Sequence, residues 1–145
     1  MNKSSRRRAR EYALQGLYQW YVAGNEPNDI QRSLAEDPPF QKMDQTFFAE
    51  IFRGAIKHAP ELEAAIGGAL DRPYAELSPI EKSILLLATY ELAHMPETPY
   101  RVVMNEAIEL AKSFGGTDGH KYVNGVLDKI GPGLRLEEKL ANPKA

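Results

Sequence analysis

Residues 78–95, SPIEKSILLLATYELAHM, carry a helix start, a strongly apolar run and a helix stop in one short stretch. Ser78 and Glu81 stand at the spacing of a capping box, and Pro79 occupies the first helical position, where a missing N–H removes no intrahelical bond. Pro96 and Pro99 then end the helix. The rest of the chain repeats its apolar residues at helical spacing too. From about residue 44, Phe47, Phe48, Ile51, Phe52, Ala55 and Ile56 form one broad apolar face, and Pro60 opens a further helix through Leu70. YRVVMNEAIELAKSF, closed by Gly115 and Gly116, and HKYVNGVLDKI, ending before the GPG at 131–133, supply two more. The turn cluster AGNEPND at 23–29 and the DPP at 37–39 bracket a short helical stretch. No segment alternates as a strand would, and no repeat of fixed period is present. About seven helices therefore predict an all-α fold. A length of 145 residues suits a single domain over 1–145, and the longest joint, GALDRPYAELSP at 68–79, is where two small helical bundles would meet. The tail from Gly131 is polar and expected to be loosely held.

The first helix carries the least expected charge. SSRRRAREYALQGLYQW, residues 4–20, has Ser4 or Ser5 as N-cap and a stripe of Ala9, Ala13, Gly16, Leu17 and Trp20, yet its first two turns hold four arginines. A cation at a helix amino terminus is opposed by the peptide dipoles, by about 0.3–1 kcal/mol. Helical geometry gathers Lys3, Arg6, Arg7 and Arg10 at one side of this end and sends Arg8 elsewhere. The first ten residues contain five basic groups and no acid, leaving 13 basic against 20 acidic residues in the remainder. A basic head on an acidic body points to a local site for a polyanion.

Little else suggests chemistry. His58, His94 and His120 lie far apart without a partner at i+4, there is no cysteine, and the glycines fit neither phosphate-binding fingerprint. No metal, no cofactor and no catalysis are expected. Glu106, Glu109 and Lys112 read as a solvated ion-pair face, and Asn105 and Asn124 as satisfied buried amides. No apolar run approaches the roughly 20 residues that span a bilayer, and no secretory signal is evident, so a cytoplasmic protein is expected. FGGTDGHKYVNG, 114–125, allows two readings. Asp118 and Tyr122 could serve as a helix N-cap and a core residue, or as exposed groups at a glycine-flanked junction where the tyrosine ring stacks on an unpaired base.

Taken in order, RRRAREYALQGLYQW, IEKSILLLATYEL, PYRVVMNEAIELAKSFGG and HKYVNGVLDKI resemble the NusB family of bacterial transcription antitermination factors, from about residue 5 to residue 130. The resemblance implies an all-helical protein of two small halves. It also implies pairing with ribosomal protein NusE, binding of the heterodimer to boxA, a single-stranded signal in ribosomal RNA leaders, and entry into an antitermination complex with RNA polymerase. By resemblance, Lys3, Arg6, Arg7, Arg10, Asp118 and Tyr122 fall on RNA-binding positions. Tyr122 replaces the family's usual phenylalanine, which preserves a stacking face and adds a hydroxyl. Tyr18 and Glu81 fall on the NusE-facing side; Glu81 can serve both partner and capping box only if partly exposed. Without NusE, the same amphipathic surface could pair two copies as a homodimer. The helical domain also resembles the amino-terminal part of a ribosomal RNA cytosine methyltransferase, whose catalytic domain and cysteine have no counterpart here.

Overall fold

The computed structural model describes residues 4–116 and 119–135. Lys3 and Asp118 lie outside the described residues. Seven α-helices occur among those described, with no strand. α1 (Ser5–Ala23) starts at Ser4, whose side chain accepts from the Arg7 amide at 3.0 Å, and stops at Gly24, whose φ of 67° is the left-handed conformation glycine tolerates. α2 (Pro27–Leu34) buries Ile30 and Leu34. A short 3-10 turn over Pro38–Lys42 leads to α3 (Gln45–Lys57), capped by Asp44. α4 (Ala59–Gly67) has proline in its first turn. The joint from 68 to 78 contains only a 3-10 turn, Tyr74–Glu76. α5 (Pro79–His94), α6 (Tyr100–Phe114) and α7 (Gly119–Leu134) complete the fold.

α5 is the element around which the others are arranged. Both hydrogen bonds of its capping box form, Ser78 Oγ accepting from the Glu81 amide and Glu81 Oε1 accepting from the Ser78 amide, each at 3.1 Å. Every residue from Ser83 to Leu92 is buried. These central turns have no solvent face, and α1, α3, α4, α6 and α7 all pack against the helix. Its carboxyl end is closed from a distance: the Arg135 guanidinium donates to the carbonyls of Leu92 at 2.6 Å, Met95 at 2.9 Å and Glu91 at 3.1 Å. Buried side chains from both sides of the joint form one cluster, with Phe48 stacked on Phe52 and Phe40 edge-on to Phe48. α1 crosses α3 at Gly16, where a Cβ would lie 2.6 Å from the Phe52 ring.

Three expectations change. α7 continues through Pro132 to Leu134, and Gly131 is buried against the Tyr100 ring, so residues 131–134 are packed rather than loosely held, while the tail from residue 136 lies outside the described residues. Pro132 sits in the last turn of α7, where the helix is about to end. Asn105 is exposed, and Asn124 bonds only Asp128, at 3.4 Å, so neither is a buried core amide. Glu106 does not join the Glu109–Lys112 pair but turns to α1. No helix among the described residues is long and apolar enough to cross a membrane.

Candidate RNA and partner interface

The arginines at the head of α1 divide into exposed and buried groups. Arg6 keeps 52% of its side chain exposed, lies 3.6 Å from Asp44 and spreads its guanidinium 4.4 Å above the Phe47 ring. Arg7 is 41% exposed and forks onto Glu106, with contacts of 3.0–3.3 Å. Both sit at a rim where a phosphate could compete with a carboxylate for donors already oriented. Arg8 is half-buried, close enough to Tyr12 for its charge to act on that hydroxyl.

Arg10 departs from the sequence expectation. It is 3% exposed, and its Nε and Nη2 each donate to Glu91 at 2.8 Å, with Glu91 itself 1% exposed. The helical spacing that aligns Arg10 with Arg6 also carries it one turn further down α1, beneath Phe47 and against the centre of α5. Its guanidinium is committed to the interior. Sequence reasoning missed this because the acid that receives it lies 81 residues away.

Tyr122 is half-buried at the start of α7, and the Arg72 guanidinium lies 4.9 Å from its ring centre. Its hydroxyl is buried without a hydrogen-bond partner among the described residues, and burial raises its pKa. Beside the ring a hollow is lined by Ala69, Asp71, Lys121, Gly125 and Lys129. Arg72 also binds Asp71 at 2.9 Å, which holds that carboxyl below its ordinary range. The guanidinium against the Tyr122 ring thus comes from the joint between α4 and α5, and the head arginines make their contacts on α3, α5 and α6. Arg72 carried no signal in the sequence, since fifty residues separate it from the ring it covers.

Tyr18, 39% exposed, lines an apolar groove with Leu14, Ile80 and Phe114, the last 40% exposed. Glu81 follows Ile80 in the chain and is half-exposed while capping α5, which meets the condition for a second role. Tyr18 and Phe114 are two large apolar side chains left about 40% exposed beside this groove.

The NusB family model matches residues 7–132. The transcription antitermination protein NusB of Nitrosomonas eutropha is 52% identical over 141 residues, covering 97% of this chain and 84% of that protein. Among solved structures, T. maritima NusB superposes with a TM-score of 0.82 at 27% identity, covering 97% of this chain and 99% of that one. A structure of antitermination factors NusB and NusE in complex with dsRNA shares the fold, with a TM-score of 0.80 at 23% identity over 89% of this chain and 97% of that one.

Proposed function

Because the chain belongs to the NusB family and is thereby a transcription antitermination factor, we propose that it works by binding boxA single-stranded RNA of ribosomal RNA leaders as a heterodimer with ribosomal protein NusE. The observation that carries this reading is the pair Arg6 and Arg7, kept about half-exposed at a helix end that would favour acids. They contact phosphates, with Lys3 as a third cation, while Tyr122 offers a ring face to a base. Arg10 supports the surface from within by fixing α1 against α5. Asp118 accepts a hydrogen bond from a base amino group. Tyr18 and the exposed part of Glu81 meet NusE, and the heterodimer enters the cytoplasmic antitermination complex with RNA polymerase without catalysing a reaction. In the absence of NusE, the groove around Tyr18 is the surface on which two copies pair.

Three cations make a weak site, so selectivity needs NusE to extend the contacts. One observation favours a second reading, a purely protein-binding adaptor: Arg6, Arg7 and Arg10 each already lie against an acid of the same chain. Fluorescence anisotropy of labelled boxA RNA and a scrambled control, with and without NusE at two salt concentrations, separates the two. The proposal expects tight boxA-selective binding only with NusE, weakened by Arg7→Ala and by Tyr122→Ala. Equal binding of both RNAs reduces the head to generic electrostatics, and no binding in any arm leaves the adaptor.

A further inference from the structure

Two histidines that the sequence separates by 36 positions meet on the surface. His58 stands between α3 and α4 and His94 in the last turn of α5; their rings stack with centroids 4.3 Å apart and planes 25° from parallel. Tyr90 extends the stack, 5.0 Å from His94, and its hydroxyl is held by Glu50. Glu61, one turn into α4, brings Oε1 to 2.6 Å from His58 Nδ1. One nitrogen from each imidazole and one Glu61 oxygen all lie within 4.8 Å of one another. Donors around a tetrahedral zinc, at the usual bond length of about 2.0–2.1 Å, are roughly 3.3 Å apart. Imidazole lone pairs lie in the ring plane, so the stacked rings must turn out of their stack to face one ion, and the 2.6 Å Glu61–His58 contact must open; His94 and Glu61 are exposed side chains with room to turn.

We propose that His58, Glu61 and His94 form a surface site for a borderline divalent transition-metal ion, Zn²⁺ foremost. Two imidazoles and a carboxylate match the preferences of zinc and its neighbours and lack the oxygen count that Mg²⁺ or Ca²⁺ requires. Glu61 acts either as third ligand or as the acceptor that orients the His58 ring, the carboxylate–histidine–metal arrangement. The remaining coordination positions face solvent. Lys57 and Arg53 share the adjacent hollow with His58, but Arg53 is engaged by Gln31 and Asn28, and Glu50 and Glu61 offset the local positive charge. His58 precedes the 68–79 joint and His94 follows it, so a bound ion ties together the two parts of the chain that the joint connects. The site is separate from the Tyr18 groove and from the Arg6–Arg7 rim and rests on no part of the RNA reading.

The test is isothermal titration of Zn²⁺ into the full-length, tag-free chain, with Co²⁺ absorption reporting ligand geometry and Mg²⁺ as the hard-cation control. The site predicts one equivalent of Zn²⁺, a Zn²⁺-dependent rise in melting temperature, and no Mg²⁺ heat. His94→Gln abolishes both zinc effects, Glu61→Gln weakens binding by about 10–100-fold, and His120→Gln changes neither. His58→Gln removes a residue at the junction of two helices and could disturb folding, so the exposed His94→Gln, checked by circular dichroism, decides. No zinc heat, or zinc binding that survives His94→Gln unchanged, overturns the proposal.

Discussion

Replacing Arg10 with methionine while keeping Glu91 should destabilise the protein by about 3–5 kcal/mol, the cost of leaving one member of a buried ion pair without its partner. The figure follows from burial: Arg10 and Glu91 are 3% and 1% exposed and exchange two 2.8 Å hydrogen bonds, so water cannot take over for the lost guanidinium. Methionine keeps much of the aliphatic stem, which limits the cavity left behind, while the guanidinium over the Phe47 ring is lost with the charge. Adding Glu91→Leu should recover most of the loss, since well-packed apolar pairs often equal or exceed the buried ion pair they replace. Urea denaturation followed by circular dichroism reads both outcomes. At a slope of about 2 kcal/mol/M the single variant lowers the midpoint by roughly 1.5–2.5 M and the double variant restores it. A shift below about 0.5 M in the single variant would refute the reasoning, because it would mean that Glu91 finds solvent or another partner. Loss of RNA binding on changing Arg10 therefore reports on RNA contact only after the fold has been checked.

With Arg10 in the core, three head cations remain and should contribute about −2 to the log-log salt slope of RNA binding by the heterodimer; Arg7→Ala should flatten that slope by about 0.7 and Arg10→Met should leave it unchanged, whereas a flattening by Arg10→Met would return Arg10 to the RNA surface. Tyr122→Phe deletes a buried hydroxyl that has no partner among the described residues, so thermal unfolding should show neutral or modestly higher stability, by up to about 1 kcal/mol, and anisotropy an unchanged boxA affinity. Ser78→Ala should cost about 1 kcal/mol through the lost cap and leave NusE affinity intact, whereas Glu81→Ala should lower both stability and NusE affinity in the same titration. Burial, aided by the hydrogen bond to Asp37, pushes the Tyr12 hydroxyl up to about 12 against an ordinary value of 10. The folded state thus holds this proton more tightly, and the stability it contributes is present below about pH 10 and lost as the pH rises towards 12. Urea midpoints at about pH 9 and pH 11 should fall less in Tyr12→Phe than in the parent chain.

The helices were legible because their signals are local. Ser4, Ser78, Pro79 and Pro60 announce starts within four residues of the helices they open, and each start lies where those residues place it, to within one position. The stripe of Ala9, Ala13 and Leu17 is equally local and equally buried. What stayed hidden depends on distant partners. Arg10 reads like Arg6 until Glu91 is known to lie beneath it, and Glu106 reads like a surface acid until Arg7 reaches it across 99 residues. The stacking of His58 on His94 is likewise set by how α3, α4 and α5 pack. Gly131 and Pro132 misled for another reason: both disfavour helix interiors, but the close approach to Tyr100 leaves room for nothing larger than glycine, and tertiary packing outweighs propensity there.

Glu91 is gripped twice, at its carboxylate by Arg10 from the first helix and at its carbonyl by Arg135 from the end of the last. During synthesis these partners arrive at different times. Arg10 is made 81 residues before Glu91, an interval of roughly 4–16 s at 5–20 residues per second, and Arg135 follows 44 residues later. Until α5 emerges, α1 has α3 to pack on but no acid for its inward cation, and the side of the stripe that α5 covers is open. The nascent amino-terminal half therefore carries a partly uncovered apolar stripe and an unpaired inward arginine, and both grips on Glu91 are complete only once Arg135 has been added.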